Sequence, residues 1–206
     1  MGYVTLAEEA KGSYSEKKSD FIASVVPIEN EEQAIAHINR IKAENRKARH
    51  NVYAYVLREN NITRYSDDGE PQGTAGVPVL DVLLKREVTD VCAVVTRYFG
   101  GVLLGANGLV RAYSTACAKA LDNAKLKVMC DAVRVDCRCE YGFYGKISYI
   151  LPEFEVKVIE SDFGSDVRLS MLVKAEKSEN FCKNLTDITG GKAAIDISDI
   201  FSADFA

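Results

Sequence analysis

A glycine-rich strand-to-helix junction, residues 97–113, constrains the fold of this chain more than any other segment. A continuous apolar run, Val91–Val95, precedes it, and small residues at helical spacing follow it from Leu109 to Ala124. Glycine allows positive φ angles and close backbone approach, and a helix start offers unpaired N–H groups to an anion. We therefore predict an anion- or nucleic-acid-binding surface here. Its candidate residues are Arg97, Tyr98, Gly100, Gly101, Gly105, Asn107, Gly108 and Arg111.

The junction matches neither of the common nucleotide-binding motifs. No Gly-Lys-Ser/Thr follows it, as a Walker loop requires, and only Gly105-x-x-Gly108 remains of the dinucleotide fingerprint Gly-x-Gly-x-x-Gly. A second interpretation is therefore open, in which the glycines only allow strand, turn and helix to pack closely.

The two arginines of the junction need a counter-charge. Arg111 falls in the first predicted turn of the helix, where a cation opposes the helix dipole by roughly 0.3–1 kcal/mol. It also lies opposite the apolar stripe, while Arg97 ends the preceding strand. The sequence is consistent with a shared anion site and with structural salt bridges to the acidic loop, residues 67–70.

The acidic loop holds the carboxylates of Asp67, Asp68 and Glu70. Such a cluster suits a Mg²⁺ ion with bound water or a general base. The plain alternative is a turn, because Asp-Gly favours one. These three residues and His50 are the candidates for a catalytic role, and the sequence leaves open whether the chain is an enzyme.

The two histidines have different settings. His50 follows the basic run Arg46–Arg49 and precedes a predicted strand, Val52–Leu57, so we place His50 and its neighbour Asn51 in the site. His37 falls within a predicted helix, where we expect a surface or interface side chain. No Ser/His/Asp or Cys/His arrangement identifies a nucleophile.

Composition narrows the class of protein. The six cysteines have no Cys-x-x-Cys spacing, so we predict free thiols in a reducing cytoplasm, with no metal and no other cofactor. No apolar run approaches the roughly 20 residues that span a bilayer, and no export signal is evident, so we expect no membrane partner. Residues 1–133 are neutral overall, and the residues after 133 carry the whole net charge of −4. We therefore expect a polyanion to bind to the first part of the chain.

The order of predicted elements indicates an α+β protein of two domains, residues 1–131 and 132–206. The first domain has predicted strands at 21–26, 52–57, 62–66 and 91–95 and helices after a capping box at 30–33, near 78–85 and at 109–124. The second has strands at 133–139, 155–160, 167–173 and 194–200 and a helix at 144–151. Its other helix, 178–189, is predicted to begin at a Ser178 cap and to end at Gly190-Gly191. This βαββαβ order is that of a ferredoxin-like sandwich.

Three separated motifs make the chain resemble the YigZ/IMPACT family. They are Ala48–Tyr55, Ser66–Gly76, and Thr96–Gly101 continued by Gly105–Tyr113, in that order along the chain. The resemblance covers residues from about 15 to 125, and bacterial members also carry a C-terminal ferredoxin-like domain. Asn107 stands where many relatives have glycine. Because asparagine tolerates the left-handed conformation, we expect the turn to persist.

The resemblance has implications for fold and for function. It implies a first domain similar to domain 2 of a small-subunit ribosomal protein and to domain IV of elongation factor G, and a second domain similar to the last domain of that factor. Eukaryotic relatives regulate translation by binding an activator of the amino-acid-starvation kinase, chiefly through an additional RWD domain. We expect no RWD domain in this chain and do not transfer that role.

We interpret the chain as an RNA- or ribosome-binding protein linked to translation regulation. His50, Arg97, Arg111 and the glycine amides would contact phosphate, with Tyr98 or Phe99 stacked on a base. Two alternatives stay open. One is an enzyme acting on a small phosphorylated or anionic metabolite, with Mg²⁺ at the acidic loop. The other is a protein–protein interaction module whose acidic second domain binds a basic partner.

Overall fold

The computed structural model describes residues 2–205. The chain is an α+β protein that divides into two compact units, residues 3–128 and, with Gly2, residues 129–205. The boundary expected from the sequence, between residues 131 and 132, lies within the long strand Leu126–Cys139 through which the chain passes from one unit to the next.

The N-terminal unit contains a five-stranded antiparallel sheet. Its elements are β1 (Tyr3–Leu6), β2 (Ala10–Glu16), β3 (Ser19–Pro27), α1 (Glu31–Glu44), β4 (His50–Leu57), β5 (Ile62–Ser66), α2 (Gly76–Lys85), β6 (Val91–Tyr98) and α3 (Ala106–Asp122). The sheet has the order β2–β3–β6–β4–β5. The apolar run predicted as a strand is therefore its central strand, β6, which is buried from Val91 to Arg97.

Helices cover both faces of this sheet, which is why β6 is apolar on both sides. On one face, Ile38 and Ile41 of α1 belong to a core cluster with Tyr55 of β4. On the other face, α2 and α3 contribute Val79 and Tyr113 to the larger core. The second face matters for function because the glycine-rich junction leads into α3.

The start of α1 confirms most of the predicted capping box. The Gln33 backbone N–H donates to Oδ1 of Asn30 at 2.9 Å, which makes Asn30 the N-cap. The Gln33 side chain reaches one residue further than expected and accepts from the backbone N–H of Glu29. His37, in the middle of this helix, is buried, so the expected surface position was wrong.

The C-terminal unit is a second antiparallel sheet with two helices on one face. Its elements are β7 (Leu126–Cys139), α4 (Tyr141–Ile150), β8 (Lys157–Phe163), β9 (Val167–Lys174), α5 (Ala175–Thr189), β10 (Ala194–Ile197) and β11 (Phe201–Asp204). Strand β9 lies between β7 and β8, and β7 pairs on its other side with β10 and β11. Ile147 of α4 and Phe181 of α5 pack in one core with Met171 of β9.

The helix ends in this unit combine a confirmed prediction with a correction. Gly190 ends α5 in the left-handed conformation, with φ of 59°, as Gly190-Gly191 predicted. The helix begins at Ala175 and not at a Ser178 cap, and the Ser178 hydroxyl instead donates to the carbonyl of Ala175. Among the described residues, no helix is long and apolar enough to cross a membrane.

Candidate functional site

One end of the N-terminal sheet brings the separated sequence motifs together. Antiparallel pairing places the end of β2, the starts of β3 and β4 and the ends of β5 and β6 at the same end of the sheet. The connections at 17–18, 45–49, 67–75 and 99–105 therefore meet there, and we call them the strand-end surface. The acidic loop, the His50 segment and the glycine-rich junction all contribute to it.

Strand register determines which side chains share a face at this end of the sheet. Arg97 of β6 lies directly opposite His50 of β4 and Phe21 of β3, so all three project toward the α2 and α3 face. Asn51 and Thr96 are the next opposed pair and project to the other face.

Glu70 of the acidic loop forms the centre of the site. Its Oε1 accepts hydrogen bonds from Nη1 of Arg97 and from the hydroxyl of Tyr113, both at 2.7 Å. Nε2 of His50 lies 4.0 Å from the same oxygen. Glu70 and Arg97 are only 8% and 6% exposed. Arg97 therefore forms the salt bridge to the acidic loop that the sequence left as an alternative.

Tyr113 is held in this centre by α3, and its environment keeps it protonated. Burial raises the pKa of its phenol, and the hydrogen bond to the Glu70 carboxylate raises that pKa further. The ring also packs edge-on against Phe21, with centroids 5.0 Å apart. The sequence placed Tyr113 in the apolar stripe of the helix and missed its polar role. A tyrosine within a stripe of small residues is the signal for a buried hydroxyl that needs a partner.

Arg97 keeps most of its donors uncommitted. Its Nε is buried without a hydrogen-bond partner among the described residues. The guanidinium carbon lies 5.5 Å from the ring centroid of Phe21 and 5.4 Å from that of Phe99. The second carboxylate oxygen of Glu70, Oε2, likewise accepts no hydrogen bond from a described residue. Free donor and acceptor groups are therefore available side by side.

A cavity of about 390 Å³ opens over this pair. The residues that line it are Arg49, His50, Glu70, Pro71, Arg97, Phe99, Leu103, Leu104, Gly105, Ala106 and Leu109. We call it the Arg97 pocket. Its walls are mostly apolar and its polar groups are few and convergent, which is typical of a ligand site.

The start of α3 forms part of the rim of the Arg97 pocket. Gly105, with φ of 73°, precedes the helix and offers no side-chain cap to its first amides. Asn107 lies inside the helix, so the left-handed turn expected there was wrong. Gly100 fits the close-packing interpretation, because a Cβ atom there would lie 1.9 Å from the carbonyl oxygen of Lys18.

Asp67 and Asp68 serve the backbone of the acidic loop. Asp67 accepts from the backbone N–H groups of Gly73, Ala75 and Gly76 at 2.8–3.1 Å and so caps the start of α2. Asp68 accepts from the Asn51 backbone N–H and from Nζ of Lys42. Within residues 2–205, no group of three His, Cys, Asp or Glu side chains is arranged to hold a metal ion. The Mg²⁺ interpretation of the acidic loop therefore has no support from this geometry.

His50 has a defined tautomer when it is neutral. Its Nδ1 lies 2.9 Å from the carbonyl oxygen of Asp68. Because a carbonyl oxygen only accepts, Nδ1 carries the proton and Nε2 is left as an acceptor. His50 lines the Arg97 pocket, as its predicted place in the site requires.

Of the ten residues predicted to bind an anion or nucleic acid, only His50, Arg97 and Gly105 line the pocket. Asn51 is buried on the other face of the sheet, where its Oδ1 accepts from the Thr96 hydroxyl. The Tyr98 hydroxyl donates to Oδ1 of Asn45 at the end of α1, which leaves Phe99 as the exposed aromatic residue. Arg111 is exposed on α3 and forms no ion pair with a described residue, so the structure does not bring it together with Arg97.

Exposed cations surround the Arg97 pocket on the strand-end surface. Lys17 and Lys18 occupy the β2–β3 turn, both with positive φ, and Arg46, Lys47 and Arg49 occupy the connection from α1 to β4. None of the five forms an ion pair with a described carboxylate. The sequence pointed to the arginine run and missed the lysine pair, whose signal was two adjacent lysines between strands.

The fold and the site define a two-unit α+β protein whose N-terminal unit carries a pocket over a buried arginine–glutamate pair. Residues 17–121 match the Impact N-terminal domain, and residues 137–192 match a domain of unknown function, DUF1949. The chain therefore belongs to the IMPACT family. All the residues that line the Arg97 pocket fall within the first match.

Bacterial relatives match along nearly the whole chain. The IMPACT family member YvyE of Bacillus subtilis is 38% identical over 195 residues, which cover 94% of this chain and 89% of the relative. The IMPACT family member YigZ of Escherichia coli is 35% identical, with 91% of each chain covered. A solved structure titled as a hypothetical protein is 32% identical, with a TM-score of 0.62 over 94% of this chain and 96% of the other.

Proposed function

We propose that this protein binds single-stranded RNA through the strand-end surface. The observation that carries this proposal is the set of five exposed cations, unpaired with described carboxylates, that share the strand-end surface with the exposed ring of Phe99. Lysine and arginine neutralise phosphates, and an exposed aromatic ring stacks on a base, which together are the elements of single-strand recognition.

The local charge of this surface differs from the net charge of the chain. The nearby carboxylates of Asp68 and Glu70 are neutralised by Lys42 and Arg97, and Asp67 is surrounded by backbone amides. Glu16 and Asp20 flank the lysine turn and accept from hydroxyl groups, and the five exposed cations outnumber these two carboxylates. Elsewhere in the unit, by contrast, Arg40, Arg58 and Arg86 form ion pairs. The strand-end surface therefore carries an excess of positive charge, although the chain as a whole carries −4.

We further propose a place in translation, with the ribosome as the setting in which RNA is met. The proposal includes a fold likeness of the N-terminal unit to domain IV of elongation factor G, and a ferredoxin-like C-terminal unit. The antiparallel order β10–β7–β9–β8, with both helices on one face, supports the second assignment. All six cysteines are free thiols, which supports a reducing, cytoplasmic location.

The test is RNA binding across a salt series, measured by fluorescence anisotropy with a short labelled oligonucleotide. We expect tight binding at about 50 mM salt and a steep loss of affinity toward about 200 mM. A Lys17→Ala/Lys18→Ala/Lys47→Ala variant should lower the salt slope by about 0.7 for each lost phosphate contact. Arg111→Ala, tested separately, decides whether Arg111 belongs to the same surface.

A matched control removes two exposed lysines from other parts of the same unit. Lys85 ends α2 and Lys125 follows α3, so Lys85→Ala/Lys125→Ala changes charge without touching the strand-end surface. The control should keep the wild-type slope. Absence of binding by the wild type at low salt, or equal slopes for both variants, would refute the proposed function.

A further inference from the structure

We infer that the Arg97 pocket binds one base of the bound RNA and that guanine is the base it accepts best. This inference rests on the proposed function and adds a specific ligand to it. It starts from a feature that phosphate binding leaves unused, namely a buried guanidinium beside a buried carboxylate at the base of a cavity of about 390 Å³.

Arg97 and Glu70 both have hydrogen-bonding atoms that no described residue uses. Arg97 has five N–H donors, yet the described residues accept only one hydrogen bond from its side chain, and its Nε is buried without a partner. Glu70 has one oxygen, Oε2, that accepts none. A buried polar group without a partner, such as this Nε, costs free energy until a ligand satisfies it. The pocket therefore calls for a ligand that offers hydrogen-bond acceptors beside a donor.

The charges in the pocket favour a neutral ligand over an anion. The positive charge of Arg97 is balanced at 2.7 Å by the carboxylate of Glu70. A phosphate placed here would meet the Glu70 carboxylate with its own negative charge. Phosphate groups would bind more favourably outside the pocket, to Arg49 at its rim and to the uncapped start of α3.

Among the nucleobases, guanine presents the matching sequence of groups. Its N7 and O6 acceptors suit the fork of an arginine, and its adjacent N1–H and N2–H₂ donors suit a carboxylate. Adenine has its N6–H₂ donor between the N7 and N1 acceptors. It therefore cannot offer two adjacent acceptors to the arginine and two adjacent donors to the carboxylate. The pyrimidines have one ring and leave more of the cavity unfilled.

The walls of the pocket suit a planar apolar ring. Phe99 is 43% exposed and its ring already lies over the Arg97 guanidinium, so its outer face is available for stacking. Leu103 also lines the pocket and is 81% exposed, so it offers apolar surface that a planar ring could cover.

The experiment compares short uridine oligonucleotides that carry one central guanine, adenine or uracil, with binding measured by anisotropy at fixed salt. We expect the guanine oligonucleotide to bind about tenfold more tightly than the other two. Replacing guanine by 7-deazaguanine removes the N7 acceptor, and replacing it by hypoxanthine removes the N2 donors. Each change should forfeit part of the preference.

Two variants connect the base preference to the pocket. Phe99→Ala and the nearly isosteric Glu70→Gln should abolish the guanine preference while leaving the salt slope unchanged. Tyr149→Ala, which removes an exposed aromatic ring from the C-terminal unit, is the control and should keep the preference. Circular dichroism checks that each variant is folded.

The outcomes separate this inference from the proposed function. Salt-dependent binding that is equal for all three oligonucleotides overturns the inference and leaves the proposed function standing. Absence of binding to any oligonucleotide at low salt overturns the proposed function. In that case GMP and AMP test the pocket directly, because thermal stabilisation by GMP alone supports it and an equal response to both nucleotides overturns it.

Discussion

Replacing Glu70 by alanine is the most direct perturbation of the site. The change removes the carboxylate that is bonded to Arg97, whose side chain is almost fully buried, and it removes the acceptor of the Tyr113 hydroxyl. Breaking a buried ion pair by deleting one partner costs about 3–5 kcal/mol, because the remaining charge is uncompensated. We therefore expect Glu70→Ala to lower the free energy of unfolding by about that amount.

Urea unfolding followed by circular dichroism and tyrosine fluorescence measures the effect. The chain contains ten tyrosines and no tryptophan, so tyrosine emission follows the loss of tertiary structure without a tryptophan signal. Replacing both partners with apolar side chains, as in Glu70→Met/Arg97→Met, should recover most of the loss, because no buried charge then remains.

An exposed ion pair provides the control for this prediction. Arg86 and Asp122 form an ion pair with both side chains about half exposed, so Arg86→Ala should cost less than about 1 kcal/mol. A Glu70→Ala variant that is no less stable than Arg86→Ala would refute the reasoning. So would a double variant less stable than Glu70→Ala, because it would mean that the charge of Arg97 is not what the Glu70 carboxylate compensates.

Three further predictions follow from the described contacts. Asp67→Ala should cost about 1–3 kcal/mol in urea unfolding, because three backbone amides lose their acceptor, and Asp67→Asn should cost less. His37 has its pKa lowered by burial and by the neighbouring Arg40, so the unfolded chain takes up the proton first. Stability should be full above about pH 6.5 and fall as the pH drops toward the lowered pKa, and His37→Gln should flatten that fall. Burial raises the pKa of Cys92 and Cys117 to about 12, so a thiol reagent at pH 8 should modify them only after unfolding.

The sequence predicted the buried elements of the fold better than its edges. The apolar run at Val91–Val95 identified β6, and helical spacing identified α3, because both patterns arise from burial. Strand β2, Ala10–Glu16, was missed because none of its residues is fully buried. Its position depends on pairing with β3, which no local pattern in its own sequence records.

Strand alternation explains why only some of the predicted site residues share one pocket. His50 and Asn51 were treated as partners because they are adjacent, on the premise that the strand begins at Val52. Strand β4 begins at His50, so successive side chains point to opposite faces and only His50 reaches the pocket. The sequence could not decide whether Arg97 binds an anion or forms a salt bridge. The decision depends on how the loop that carries Glu70 folds, because that fold places the Glu70 carboxylate beside Arg97. Motif spacing identifies residues that meet, whereas register and burial decide which of their atoms remain free to bind a ligand.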